Sequence, residues 1–231
     1  MAASRLTLKE ALAEVLDPHG KTIIDIGCGD GAMVRHLARR GANAIGVEVS
    51  EAQLARARAS AEELGSYSVG RGESLPFGDA SAGAVLYVNS FHHVPAEAME
   101  RAMAEAARVL EAGGQLIVIE PIAAGAYFEA MRPLEDESEI RAAAYSTLRN
   151  PPPGLMPAGE LIYDSEVRLR DADRFIEAVT APDPSRRNRL PQVEAELRRR
   201  FDAFAEKVAG GFLFLTPMRR NLFRKTNRLL A

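Results

Sequence analysis

Ile23-Ile24-Asp25-Ile26-Gly27-Cys28-Gly29-Asp30-Gly31 is the stretch that decides the fold. With Thr22 before it, the first half is β-branched and apolar apart from one acid, which predicts a short buried strand over Thr22 to Ile26. The second half places three glycines where the backbone must turn tightly and can meet a ligand with no Cβ in the way. A helix is expected from about Ala32 to Arg40, stopped by Gly41. Strand, glycine turn and helix in this order deliver amide N–H groups at the start of the helix. Taken alone the turn is ambiguous, because Gly27, Gly29 and Ala32 also satisfy the dinucleotide fingerprint with its permitted final alanine. A glycine turn with no ligand is the plain alternative.

Working outward, MAASRLTLKEALAEVL predicts an amphipathic N-terminal helix, followed by a turn over Asp17 to Gly20. Asn43 to Val49 is a second strand, and Ser50 is placed to cap a helix from Glu51 to Leu64. Tyr67 to Val69 is a weak third strand, Ala84 to Val88 a fourth, Pro95 to Leu110 a helix and Gln115 to Ile119 a fifth strand. Strands alternating with helices of this length imply parallel βαβ units. Beyond Pro121 the pattern changes. Ala123 to Leu148 is helical and charged, Asn150 to Gly154 is irregular around three prolines, and Leu161 to Leu169 is a further strand. Asp171 to Val179 and Leu190 to Val208 are helices, and Gly211 to Leu215 opens a late apolar strand that has to be inserted in the sheet, since an exposed one would aggregate.

Length and composition bound the function. A chain of 231 residues with 47% hydrophobic content fits one large α/β domain with an elaboration. We expect residues 1–121 to form a cofactor-binding core, 122–208 a helical lid or substrate elaboration, and 209–231 a final strand and tail. A net charge of −3, from 29 basic and 32 acidic residues, supplies no global field for nucleic acid. The lone Cys28 excludes an internal disulfide and any multi-thiolate metal site, and no metal is expected. No signal peptide and no run of about 20 apolar residues is present, so the expected setting is cytoplasmic and away from the membrane.

Asp25 shifts the balance between cofactors. A dinucleotide-binding strand usually carries an apolar residue two places before the first glycine, whereas an acid there suits a ligand bearing an amine and a sulfonium. Glu48 ends the second strand at about the spacing where a carboxylate holds ribose hydroxyls; a strand-end surface charge is its simpler explanation.

Five pieces in order then resemble one family. Ile23 to Gly31 resembles motif I of the class I methyltransferases that use S-adenosylmethionine (SAM). The likeness continues through Glu48, Gly72-Glu73-Ser74-Leu75-Pro76-Phe77 and Phe91-His92-His93-Val94-Pro95, and closes on Arg108-Val109-Leu110-Glu111-Ala112-Gly113-Gly114-Gln115-Leu116. It covers roughly the first half of the chain and is similar to the type 11, small-molecule branch. The resemblance implies a Rossmann-like α/β fold, a mainly parallel seven-stranded sheet with helices on both faces and an antiparallel last strand. It implies that Gly27, Cys28 and Gly29 line the methionine end of SAM, with Asp25 near the amine. Glu48 and Val49 then serve the ribose side, Gly72, Glu73 and Ser74 flank the adenine, and Asn89 and Ser90 sit beside the sulfonium. The product is S-adenosylhomocysteine (SAH). Arg71 and Gly83 stand where the family often has aspartates, which touches the adenine side only.

Methyl transfer from a sulfonium is an in-line displacement that needs alignment and exclusion of water, with a base where the acceptor must lose a proton. His92 and His93 follow strand four, at the carboxyl edge where such sheets bind ligands, and are the base candidates; His-His pairs there also serve as structural loop residues. Glu120, at the end of strand five, is a second candidate. Tyr127 and Phe128 either wall the acceptor pocket or belong to a helix core. Arg132, Glu135, Asp136, Glu139 and Arg141 alternate in sign at helical spacing, as on a solvated face, and Tyr127 to Tyr145 is a candidate lid. Arg198 to Arg200 is one exposed helical face. The expected function is therefore O-, N- or C-methylation of a small-molecule acceptor. A SAM-binding regulator or subunit without turnover, and a nicotinamide-dependent oxidoreductase, are the alternatives; an exposed helical C-terminal half is compatible with a homodimer.

Overall fold

The glycine turn leaves a strand that lies inside a parallel sheet. The structure, a computed structural model, describes residues 4–60, 64–181, 183 and 185–226. Strand β1 (Thr22–Ile26) pairs in parallel with β2 (Asn43–Glu48) and, on its other side, with β4 (Ala82–Val88). Beyond them, β3 (Ser66–Val69) pairs with β2 and β5 (Leu110–Pro121) with β4, again in parallel. With β6 (Leu155–Leu169), β7 (Glu206–Val208) and β8 (Gly211–Lys225), the strand order is β3-β2-β1-β4-β5-β8-β6, and β7 pairs antiparallel with β8. The sheet is thus of the expected Rossmann-like, mainly parallel type with its last strands antiparallel. It has eight strands rather than seven because the short β7 folds back on β8 through the two-residue turn Ala209-Gly210, where Gly210 takes a φ of 83°.

Two compact units divide the chain. The larger holds residues 12–120, 143–161 and those from 219 onward. Its core is β-branched and aliphatic, with Ile23, Ile24, Val85, Leu86, Ile117 and Val118 all buried. These runs are apolar on both faces because parallel strands are covered on both. Helix α1 (Leu8–Ala13) precedes β1, and helix α2 (Ala32–Ala38) packs on β1 and β2. Helix α3 (Glu51–Arg58) starts at Ser50, whose hydroxyl accepts from Gln53 N as the sequence predicts. It ends before the expected Leu64; residues 61–63 lie outside the described residues. Helix α4 (Met99–Val109) buries Met99, Ala102, Met103, Ala106 and Ala107, the 3–4 spacing of one apolar face, and leaves Glu105 and Arg108 half-buried for other work.

The smaller unit holds the residues up to Ala11, 121–142 and 162–218. The stretch expected as one helix from Ala123 to Leu148 is two, α5 (Gly125–Met131) and α6 (Ser138–Arg149), because Pro133 has no N–H with which to continue the ladder. With α7 (Ala172–Thr180) and α8 (Arg186–Phe204), α5 encloses a cluster in which Phe175, Phe201 and Phe214 are almost wholly buried and Tyr127 meets Phe175 and Phe214 edge-on at 5.6 and 5.5 Å. Each such phenyl contributes about 1.5–3 kcal/mol by burial. Strand β6 ends the strand order, and at Asp164 its open edge is covered by Ser4–Leu6 through Leu6 N to Asp164 O (3.1 Å) and Asp164 N to Ser4 O (3.0 Å). Among the described residues no helix is long and apolar enough to cross a membrane.

Candidate active site at the carboxyl ends of β1, β2, β4 and β5

Strand β1 has β2 on one side and β4 on the other, so the connections leaving β1 and β4 depart in opposite directions. Such a switch point opens a crevice at the carboxyl ends of the strands. The turn after β1 is held by bonds to the end of β2 and within itself. Gly27 N and Cys28 N both donate to Val47 O (2.8 and 3.1 Å), Gly31 N to Cys28 O (2.9 Å), and Ala32 N to Asp30 Oδ1 (3.1 Å). Gly29 N donates to Glu48 Oε2 at 3.0 Å. Five amides that a phosphate cradle would need are therefore already engaged.

Gly27 has a φ of 71°, and a Cβ there would lie 2.6 Å from Ser90 Cβ. Ser90 cannot retreat, since its hydroxyl donates to Ile26 O at 2.6 Å. We expect Gly27→Ala to destabilise the fold by about 2–4 kcal/mol, from left-handed strain plus overpacking. Urea denaturation measures this, and a midpoint equal to wild type would refute it. Gly29, by contrast, has open space where a Cβ would point.

Asp25 is 2% exposed, and its carboxyl is pushed up to about 7 by burial first and by the charge of Glu48 second. No described residue hydrogen-bonds to it, so it is a buried acid with unfilled acceptor capacity. Glu48 is half-buried, and besides Gly29 N it accepts from Val49 N (2.8 Å) and Ser50 N (2.9 Å) through Oε1. Its carboxylate thus fixes the turn after β1 to the end of β2 while keeping sites for further donors. Next to it the side chains of Val49 and Val69 are 57% and 48% exposed, two apolar surfaces at neighbouring strand ends.

After β4, Asn89 is exposed and takes a φ of 53°, a conformation held from both sides. Asn89 N donates to Ile119 O (2.8 Å), while Ser90 N, Phe91 N and His92 N donate to the Glu120 carboxylate at 2.9, 3.0 and 3.2 Å. The Nδ1 of His92 also lies against that carboxylate. Glu120 accordingly clamps this loop. His92 is buried, whereas His93 is exposed with its ring 4.1 Å from that of His92.

The segment after β3 is fixed by a pair that the sequence shows only as part of a motif. Arg108 donates to Phe77 O (2.8 Å), Leu75 O (3.2 Å) and Asp79 Oδ1 (2.8 Å), and pairs with Glu105, which accepts from Leu75 N at 2.9 Å. The three-residue spacing of Glu105 and Arg108 on a helix was the available signal. Gly72 lies over the Tyr87 hydroxyl, 2.5 Å from where its Cβ would be, and Glu73 and Ser74 complete a turn closed by Ser74 N to Arg71 O (3.1 Å). The Tyr87 hydroxyl is buried with no hydrogen-bond partner among the described residues. Asp25, Gly27, Cys28, Gly29, Glu48, Val49, Gly72, Glu73, Ser74, Asn89, Ser90, His92 and His93 thus all belong to the larger unit; Tyr127 belongs to the smaller one and its aromatic cluster.

Residues 24–118 match a family model described as "Methyltransferase domain". Over 103 residues the chain is 36% identical to a demethylmenaquinone methyltransferase of Tropheryma whipplei, an overlap of 44% of this chain and 42% of that protein. It is 29% identical to a 27-O-demethylrifamycin SV methyltransferase of Amycolatopsis mediterranei across 93% of this chain and 83% of the other. The chain spans less than half the length of the curated relatives it matches first. A Bacillus halodurans structure provisionally assigned as a methyltransferase superposes with a TM-score of 0.63 at 17% identity, covering 94% of this chain and 97% of that one, a likeness of fold.

Proposed function

We propose that this chain, whose residues 24–118 match the methyltransferase-domain model, is a class I methyltransferase that binds SAM and catalyses in-line methyl transfer to a small-molecule acceptor. The observation that carries this is Asp25, a buried carboxyl with no donor of its own beside a turn whose amides are already engaged. That pair of features suits a ligand bringing an ammonium and suits a pyrophosphate badly. When bound, SAM supplies a methyl group already activated by a sulfonium.

The residues fit that ligand. Asp25 would accept from its amine, Glu48 would take ribose hydroxyls on the lone pairs its backbone donors leave, and the exposed faces of Val49 and Val69 would flank the adenine together with Gly72, Glu73 and Ser74. Gly29 leaves room for close approach to the backbone. Asn89 and Ser90 shape the methyl-donor side, with Ser90 holding the two loops together through Ile26 O. A base has to reach the proton it removes. Of the two histidines only His93 is exposed, so His93 is the proton acceptor for a hydroxyl or amine substrate and His92 is its support. Two relatives named for methylating small molecules, a demethylmenaquinone and a rifamycin, support an acceptor of that size.

Calorimetric titration with SAM and SAH, with NADH as the comparison ligand, tests the reading. We expect saturable one-to-one binding of SAM and SAH, weakened tenfold or more by Asp25→Ala or Glu48→Ala. Tighter binding of NADH, or no binding of SAM and SAH, would sink it. If both bind but SAH is never formed from SAM with any phenol, amine or quinol acceptor, the chain is a SAM-binding regulator.

A further inference from the structure

Strand β4 reads AGAVLYV and is apolar along its length apart from one hydroxyl. Tyr87 is 1% exposed, its ring meets Phe91 edge-on at 5.1 Å, and its phenol oxygen is buried with no hydrogen-bond partner among the described residues. Glu105 does not serve it: that carboxylate accepts from Arg108 and from Leu75 N. A phenylalanine here would bury the same ring and leave no donor unmet, so the fold alone does not call for the hydroxyl. The chain nevertheless makes room for it. Gly72 has a φ outside the left-handed region, so its glycine is required by space and not by conformation. The three atoms nearest to a Cβ at Gly72 all belong to Tyr87, the hydroxyl at 2.5 Å and two ring carbons at 3.3 and 3.4 Å. Tyr87 and Gly72 thus form a matched pair, and both lie in the larger unit.

We propose that Tyr87 recognises the purine of the cofactor, its O–H donating to a ring nitrogen of the adenine held along Gly72, Glu73 and Ser74. This deepens the methyl-transfer reading and rests on it for the ligand. A buried donor that finds no acceptor in the chain calls for one from outside, and the unsubstituted ring nitrogens of adenine only accept. Burial first, and the charges of Glu73 and Glu105 after it, push the phenol well above its usual range, so it remains a donor throughout the neutral range. The turn that carries Gly72 is closed by Ser74 N to Arg71 O (3.1 Å), while Leu75 and Phe77 beyond it are anchored by Glu105 and Arg108. A small outward shift confined to that turn brings the hydroxyl within reach of a ring seated there, and the missing side chain at Gly72 leaves backbone alone in the way.

The test is calorimetry of the full chain and of Tyr87→Phe with SAH, adenosine and three deaza-adenosines, each lacking one acceptor nitrogen of the ring, together with the melting temperature of both proteins. Tyr87→Phe, which keeps the ring contacts, is expected to weaken SAH and adenosine by the same factor, about fivefold, and to melt at or above wild type. The deaza-adenosine without the accepting nitrogen should bind both proteins alike. Gly72→Ala should lower the melting temperature of wild type more than that of the Tyr87→Phe protein, where its Cβ meets a ring carbon at 3.3 Å and no longer the hydroxyl at 2.5 Å; equal losses would overturn the pairing. SAH affinity unchanged in Tyr87→Phe, a loss that adenosine does not share, or an equal loss for all three deaza-adenosines would each overturn the recognition role. A lower melting temperature with unchanged affinity would show instead that the hydroxyl serves the fold. Wild type that binds neither SAH nor adenosine would strike the methyl-transfer reading itself, whereas wild type that binds SAH no better than Tyr87→Phe strikes this inference alone.

Discussion

Glu120→Ala is expected to lose about 3–5 kcal/mol of stability, seen as a fall of roughly 6–20 °C in the melting temperature. Three consecutive backbone amides and the Nδ1 of His92 converge on this one carboxylate, whose side chain is 12% exposed. Removing it strands those donors in a site where water reaches poorly, and an unmet buried donor costs more than the bond it made. The left-handed backbone of Asn89 is maintained by the same clamp, so SAH affinity should fall as well. A carboxylate also accepts only, so while Glu120 is ionised the Nδ1 of His92 carries the proton. Had Glu120 been a base facing an acceptor, the Ala variant would melt within about 2 °C of wild type and lose turnover alone. Differential scanning calorimetry of the two proteins separates these outcomes.

Glu120 also shows where a sequence is legible and where it is not. The parallel half of the fold could be read because each strand there is buried on both faces and each helix follows a glycine or a cap, as at Gly41 and Ser50. The second half resisted for local reasons. Strand β6 begins at Leu155 rather than Leu161, because Pro157 and Gly159 look like breakers yet are tolerated on a strand with one unpaired edge. Strand β8 continues past Leu215 to Lys225 through Pro217, whose carbonyl accepts from Ile122 N at 2.8 Å. Helix α8 starts at Arg186, four residues early, and runs through Pro191 in its second turn at the loss of one backbone hydrogen bond, which is why the proline reads in the sequence as a start. In the site, Asp25 and Glu48 could be singled out because acids at strand ends are conspicuous. The clamp could not, because a carboxylate serving backbone amides 28 to 30 residues away leaves no pattern in the sequence. Nor could the buried ion pairs of the smaller unit: the alternation of Arg132, Glu135, Asp136, Glu139 and Arg141 has the spacing of a solvated helix face, and only packing shows that Arg186 and Glu137 are buried.

Asp25→Asn should move stability and cofactor affinity in opposite directions. In the folded chain Asp25 titrates near 7 instead of 3.8, burial being the main cause and Glu48 the second. Between those values the folded state keeps a proton that the unfolded state has released. Stability therefore falls as pH rises from about 4 to 7 and levels off above, by an amount on the order of 4 kcal/mol. Asparagine abolishes that loss but buries an amide with no partner, which returns about 1–3 kcal/mol of it. The variant is thus expected to be about 1–3 kcal/mol more stable than wild type at pH 8 and no more stable at pH 4. The same substitution removes the charge that would face the amine of SAM, so affinity for SAM and SAH at pH 8 should drop tenfold or more. Wild type should reproduce part of this by titration, since the ionised fraction of Asp25, and with it SAH affinity, falls about tenfold from pH 8 to pH 6. Denaturation at pH 4 and pH 8 together with calorimetry at pH 6 and pH 8 decides the matter. A variant less stable than wild type at pH 8 would mean that the charged carboxyl has a protein partner after all, and unchanged affinity would mean that the amine is held elsewhere. An acid kept at a net expense to the fold is what a binding site requires and a core does not.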